Sequence, residues 1–239
     1  MVSTDPGNPT SPDNPTDPGR PTDPGRPTES DQARERAREL AWERALELAW
    51  ESFRGGTTPV GAVVTGADGA IVAEGRGRRF ESAAPPGQLA WTGVAHAELN
   101  ALARLGPDRH YTDHALLTTL EPCAMCHGAA IQASVGSLAY AGADPYGGTG
   151  AVVWGTPQAR HRPLPVTGPL PDERGRLSEL LHITWIMRVA GPHVLAAQQQ
   201  ALPAQAALAA RPSTQRLLTE AAAARTPLPD LRRALAGTL

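Results

Sequence analysis

Only two cysteines occur among the 239 residues, Cys123 and Cys126, three positions apart and directly behind a β-prone run. One such pair cannot act as a disulfide framework, so this chain has to be held by a buried apolar core. Hydrophobic residues make up 41% of the chain, enough for such a core, which excludes wholesale disorder. In a reducing compartment a Cys-x-x-Cys pair is a metal site or a redox pair. The pair therefore sets a strand-to-helix junction near residue 122 and puts chemistry on it.

The rest of the pattern is consistent with that junction. Residues 1–30 are rich in Pro and Gly, and Asp-Pro-Gly-Arg-Pro-Thr occurs at Asp17–Thr22 and again at Asp23–Thr28. With almost nothing apolar to bury, this reads as a disordered tail. Leu40, Trp42, Leu46, Trp50 and Phe53 recur at helical spacing before Gly55-Gly56 stops the helix. Val60–Thr65 and Ala70–Glu74, separated by Gly66-Ala67-Asp68-Gly69, read as a hairpin. Next come a helix over Ala95–Leu105, a strand over His114–Leu120, a helix from near Cys123 to Ala133 and a strand over Leu138–Ala141. Pro122 is expected to open the third helix. A Gly-rich loop, Gly142–Gly155, precedes a helix over Glu173–Val189. This alternation predicts an α/β fold, a three-layer α/β/α domain over 31–190. Residues 191–239 are Ala-rich, broken by prolines, and expected to be helical in pieces.

A formal net charge of −2 excludes a strongly basic nucleic-acid binder, although a local patch is compatible with it. All 22 basic residues are arginines, a bias that fits a high-GC coding sequence and carries no functional message. No run approaches about 18 apolar residues, so no membrane-spanning helix is expected. Met1–Asp5 shows neither a basic nor an apolar leader pattern, and the expected compartment is the cytoplasm.

Two segments carry chemistry: Ala95-His96-Ala97-Glu98 and Glu121-Pro122-Cys123-Ala124-Met125-Cys126. Two cysteines at i and i+3 share one face of a first helical turn, where free backbone N–H groups favour thiolate. Two thiolates and an imidazole from His96 are donors suited to zinc, and three protein ligands leave an open position, as catalytic sites do. Water held there becomes acidic enough to act as a nucleophile. Glu98 is the proton carrier in that arrangement. A redox pair would leave His-Ala-Glu unexplained. A structural zinc would need a fourth ligand, and His127 next to Cys126 points off the cysteine face.

These motifs resemble the zinc-dependent cytidine/deoxycytidylate deaminase superfamily. With Pro59-Val60-Gly61-Ala62-Val63 and Thr119-Leu120-Glu121-Pro122-Cys123, they are most similar to its tRNA adenosine deaminase and guanine deaminase branch. The resemblance spans roughly residues 35–189. It implies a cytidine-deaminase-like fold with a central mixed sheet, Zn2+ held by His96, Cys123 and Cys126, and Glu98 moving protons. It also implies hydrolytic removal of the exocyclic amine of a nucleobase or nucleoside, with release of ammonia, and a homodimer. The branch usually has asparagine in a Gly-x-Asn-Arg context; Gly77 stands at that position here, without a side-chain hydrogen bond to offer. Asp144 falls where the branch has an acidic residue near the substrate. The connection Phe80–Val94 is longer than usual.

The expected substrate is a small base or nucleoside. The alternatives are a tRNA adenosine, with Arg76, Arg78 and Arg79 offering phosphate contacts, and a catalytically inactive zinc-stabilised interaction module. Trp42, Trp50 and Trp185 are expected in the core. Trp91 and Trp154, in loops near the motifs, are candidates for a pocket wall.

Overall fold

In the computed structural model, residues 28–150, 152 and 155–239 are described. The proline-rich repeats before Thr28, and Trp154, lie outside them.

Helix α1 (Glu29–Arg54) starts inside the segment read as a tail. A capping box fixes its first turn: Asp31 N donates to Thr28 Oγ1 at 3.1 Å, and Thr28 N donates to Asp31 Oδ2 at 3.1 Å. The hairpin follows as β1 (Gly61–Thr65) and β2 (Ile71–Arg76). Then come α2 (Ala97–Leu102), β3 (Ala115–Leu120), α3 (Ala124–Ala133) and β4 (Ser137–Gly142). Helix α2 is shorter than its apolar pattern suggested, because the chain turns at Ala103. Cys123 caps α3, so Pro122 precedes the cap and does not open the helix.

Two elements were not foreseen, α4 (Pro157–His161) and β5 (Val166–Thr167). The strand is two residues long and lies between prolines, which hides any alternation. Helix α5 (Glu173–Val189) matches its expected bounds.

The sheet order is β2-β1-β3-β4-β5. The pairs β2/β1 and β1/β3 are antiparallel, and β3/β4 and β4/β5 are parallel, so the sheet is mixed. Side chains alternate across it as strand geometry requires. Ala62, Val64, Leu116 and Leu138 pack with Ala97, Ala101 and Ala130 of α2 and α3. Val63, Leu117 and Ala139 face the other way, onto Ala41, Trp42, Ala45 and Leu48 of α1. With α5 beside α1, the domain is α/β/α. Gly75 lets α2 lie close against β2, since a Cβ there would stand 2.4 Å from Ala97 O and Ala101 N.

Residues 191–239 add α6 (Pro192–Ala201), α7 (Pro203–Ala210), α8 (Pro212–Ala223) and α9 (Leu228–Leu235). They pack over α1 and α5 through one buried cluster that joins Leu46, Trp50, Phe53 and Leu181 to Ala209, Leu218, Leu231 and Leu235. Trp50 Nε1 donates to Thr226 O at 2.7 Å. Arg232 reaches Glu43 on α1 at 2.7 Å and Glu173 on α5 at 2.9 Å. Leu218→Ala is expected to cost about 3 kcal/mol, read as a lower urea midpoint. An unchanged midpoint would mean that these helices do not share the core. Among the described residues, no helix is long and apolar enough to cross a membrane.

Candidate active site

Helices α2 and α3 meet on one side of the sheet and present their first turns to each other. His96 is the N-cap residue of α2 and Cys123 that of α3, with Cys126 inside the latter's first turn. Neither side chain makes a capping hydrogen bond, and the two meet across the gap. His96 Nδ1 lies 3.7 Å from Cys123 Sγ and 3.5 Å from Cys126 Sγ, and the two sulfurs are 3.6 Å apart. Tetrahedral zinc, with Zn–S of about 2.3 Å and Zn–N of about 2.0–2.1 Å, requires edges of about 3.8 Å between sulfurs and 3.6 Å between sulfur and nitrogen. The three donors fit such an ion. His127 belongs to a different neighbourhood: its Nδ1 is 3.3 Å from Thr149 Oγ1.

Glu98 sits beside the donors and is 4% exposed. Thr118 Oγ1 donates to its Oε1 at 3.3 Å, and Cys126 Sγ is 3.4 Å from Oε2. Burial pushes this carboxyl above the usual range, toward keeping a proton. Cys123 is held well below the usual thiol range by Cys126 and, after it, His96. The His96 imidazole is raised, chiefly by its contact with Cys123.

His96, Glu98 and Cys123 open into a cavity of about 480 Å³ that Gly77, Phe80, Asp144, Tyr146, His182 and Trp185 also line. Asp144, expected near a substrate, is therefore in the same cavity. So is Gly77, and the structure explains its identity: a Cβ at Gly77 would stand 2.3 Å from Thr58 O. Gly77→Asn, which restores the branch's usual residue, is expected to cost about 1–3 kcal/mol through overpacking and to bring no gain in activity. Thermal unfolding and an activity assay check both; an active, equally stable variant would show that Thr58 yields.

Several expectations change here. Trp185 is in the buried core as expected and also lines the cavity, with its ring 6.2 Å from Phe80 and 6.3 Å from His182. Trp42 and Trp50 are buried as expected. Trp91 is 70% exposed and is not part of the cavity wall. Arg76 and Arg78, read as possible phosphate contacts, are only 14% and 12% exposed and both pair with Glu81. Arg79 alone of the three lines the cavity. Asn100 pins the long connection: its Oδ1 accepts from Leu89 N at 2.6 Å and its Nδ2 donates to Arg76 O at 3.0 Å.

Sequence reasoning also missed Glu121 and His182. Glu121 accepts from Asp144 N at 3.1 Å and Gly150 N at 2.8 Å, so it secures the loop that carries Asp144. The loop then bridges Cys123 at Gly148. His182 begins the helical stripe His182, Trp185, Ile186 and Val189, all of which line the cavity. A polar residue leading an apolar stripe was the available signal.

A mixed α/β/α sheet with a His-x-Glu helix facing a Cys-x-x-Cys helix is the arrangement that the deaminase resemblance implies. Residues 35–141 match the family described as the cytidine and deoxycytidylate deaminase zinc-binding region. A tRNA(Ile)-lysidine synthase of Deinococcus radiodurans is 45% identical over 94 residues, 38% of this chain and 15% of that protein. A cytosine deaminase of Candida albicans is 30% identical over 80 residues, 33% of this chain and 48% of that one. The chain thus spans less than half the length of the curated relatives it matches. A structure from work on A-to-I editing by tRNA:A34 deaminases is 26% identical, covering 59% of this chain and 99% of that one, with a TM-score of 0.47.

Proposed function

We propose that this chain is a zinc-dependent hydrolytic deaminase that exchanges the exocyclic amine of a nucleobase or nucleoside for oxygen and releases ammonia. The observation that carries this reading is the tetrahedral spacing of His96 Nδ1, Cys123 Sγ and Cys126 Sγ, with the buried Glu98 carboxyl beside them.

His96, Cys123 and Cys126 would hold the ion. Zinc, when bound, supplies a Lewis acid that makes water nucleophilic near neutral pH. Glu98 takes up a proton at its carboxyl oxygen and delivers it to the ring nitrogen beside the amine-bearing carbon. A second transfer through the same carboxyl goes to the departing amine, so water and the aminated base become the oxo base and ammonia. Thr118 holds Glu98 Oε1 in place during both transfers. Phe80 and Trp185 offer apolar, aromatic surface against which a flat base can lie. Asp144 offers a carboxylate to an N–H of the base edge.

A small base or nucleoside is favoured over a tRNA adenosine, because Arg76 and Arg78 are paired internally and α6 contributes to the cavity wall. The homodimer rests on the resemblance, and sedimentation tests it; cell fractionation tests the cytoplasmic location.

The deciding experiment is ammonia release by zinc-loaded protein from cytosine, adenine, guanine, their nucleosides and a tRNA anticodon stem-loop. Release from one small molecule supports the reading. Release from the stem-loop alone would transfer it to tRNA, and zinc binding with no release at all would favour an inactive module.

A further inference from the structure

One buried polar cluster in the cavity wall is assembled from three separate elements. Asp144 comes from the loop after β4, His182 from α5 and Gln198 from α6. Gln198 Nε2 donates to Asp144 Oδ1 at 2.9 Å, and Tyr146 N donates to the same oxygen at 3.1 Å. His182 Nε2 lies 4.0 Å from it.

Gln198 is fully buried, yet its Oε1 has no hydrogen-bond partner among the described residues, and neither does His182 Nδ1. Buried amides in folded proteins ordinarily satisfy both ends. Turned the other way, Oε1 would meet the like charge of the Asp144 carboxylate, so Nε2 has to face it. An apolar side chain of similar shape would dock α6 with no orphaned acceptor. Docking alone therefore does not account for a glutamine here, whereas orienting a carboxylate does. With Oδ1 occupied twice, Oδ2 is the acceptor left for a ligand in the cavity shared with His96 and Glu98. The same helix adds Val194 to the cavity wall, and its His193 ring stands 5.5 Å from that of Tyr146.

We infer, building on the deaminase reading, that Gln198 is a positioning residue that sets the Asp144 carboxylate for an N–H donor of the base, which makes α6 a working part of the substrate pocket. Its target is a base that presents an N–H or NH2 group on the edge away from the reacting amine.

The test uses the full zinc-loaded chain and Gln198→Met, which keeps the shape and removes the donor. For whichever of cytosine, adenine and guanine the wild type deaminates, KM is expected to rise about tenfold with kcat within twofold, since a contact made equally before and in the transition state is lost. Asp144→Asn should give a KM increase at least as large. Hydrogen exchange at the Tyr146 amide, bonded to the same oxygen, is expected to quicken at least about fivefold in Gln198→Met while the amides of β3 are unchanged. Unaltered KM and unaltered Tyr146 exchange, with or without a lower melting temperature, would overturn the positioning role and leave the glutamine as a docking contact. Should the wild type release ammonia from nothing, the deaminase reading fails, and the exchange measurement still decides whether Gln198 holds the Asp144 loop.

Discussion

Glu98→Gln is expected to leave zinc content and melting temperature near those of the wild type and to lower kcat by about 10²–10⁴. That is the usual contribution of a positioned general acid–base group. The substitution keeps the volume of a side chain that is 4% exposed, and its carbonyl oxygen can still accept from Thr118. What it removes is the site that takes and returns a proton. The carboxyl is suited to that task because burial raises it above the usual carboxylate range, which favours its taking up a proton. The check is single-turnover ammonia release alongside metal analysis of the same sample. A variant with near-native kcat would remove Glu98 from the mechanism, whereas one lacking zinc would mean that the residue serves the metal.

Cys123→Ala is expected to reduce bound zinc from one per chain to near zero after dialysis and to abolish turnover. His96 and Cys126 would remain as a two-donor set without a third corner. The melting temperature is expected to fall by about 5–10 °C, equivalent to roughly 2–4 kcal/mol for a domain of this size. It should not collapse, because the three apolar clusters do not depend on Cys123. Metal content by mass spectrometry and calorimetry on one preparation check the pair of outcomes. Full zinc occupancy in the variant would show that the ion is held elsewhere.

The proposed metal donors, which the fold brings within reach of one another, could be picked out from the chain because each half of the set is local. His96 and Glu98 are two positions apart, Cys123 and Cys126 three, and both motifs fall where an apolar pattern changes period. The chemistry of those residue types brings the halves together without a calculated fold. What surrounds them could not be read in that way. Gln198 meets Asp144 across 54 positions, and nothing in an Ala- and Gln-rich helix marks that glutamine out from its neighbours. Trp185 follows the helical apolar period and is in the core as that pattern reads, but the pattern does not show that it also lines the cavity. The identity of Gly77 depends on a backbone carbonyl 19 positions away, that of Thr58. Nor does the sequence show that Glu81, in a loop of no evident pattern, pairs with both Arg76 and Arg78.

The packing of α6–α9 over α1 has a consequence for how this chain is made. Trp50 bonds a carbonyl 176 positions downstream, and Glu43 meets an arginine 189 positions away. Until α6–α9 have followed α5 out of the ribosome, the face of α1 that carries Leu46, Trp50 and Phe53 has only α5 against it, and the cavity has no wall from α6. At about 5–20 residues per second that interval lasts seconds, long enough for chaperones to engage. A chain lacking α6–α9 would carry His96, Cys123 and Cys126 but neither Gln198 nor the full cover for Leu46, Trp50 and Phe53. Proteolytic surveillance would find such a product by its exposed face before it met a substrate.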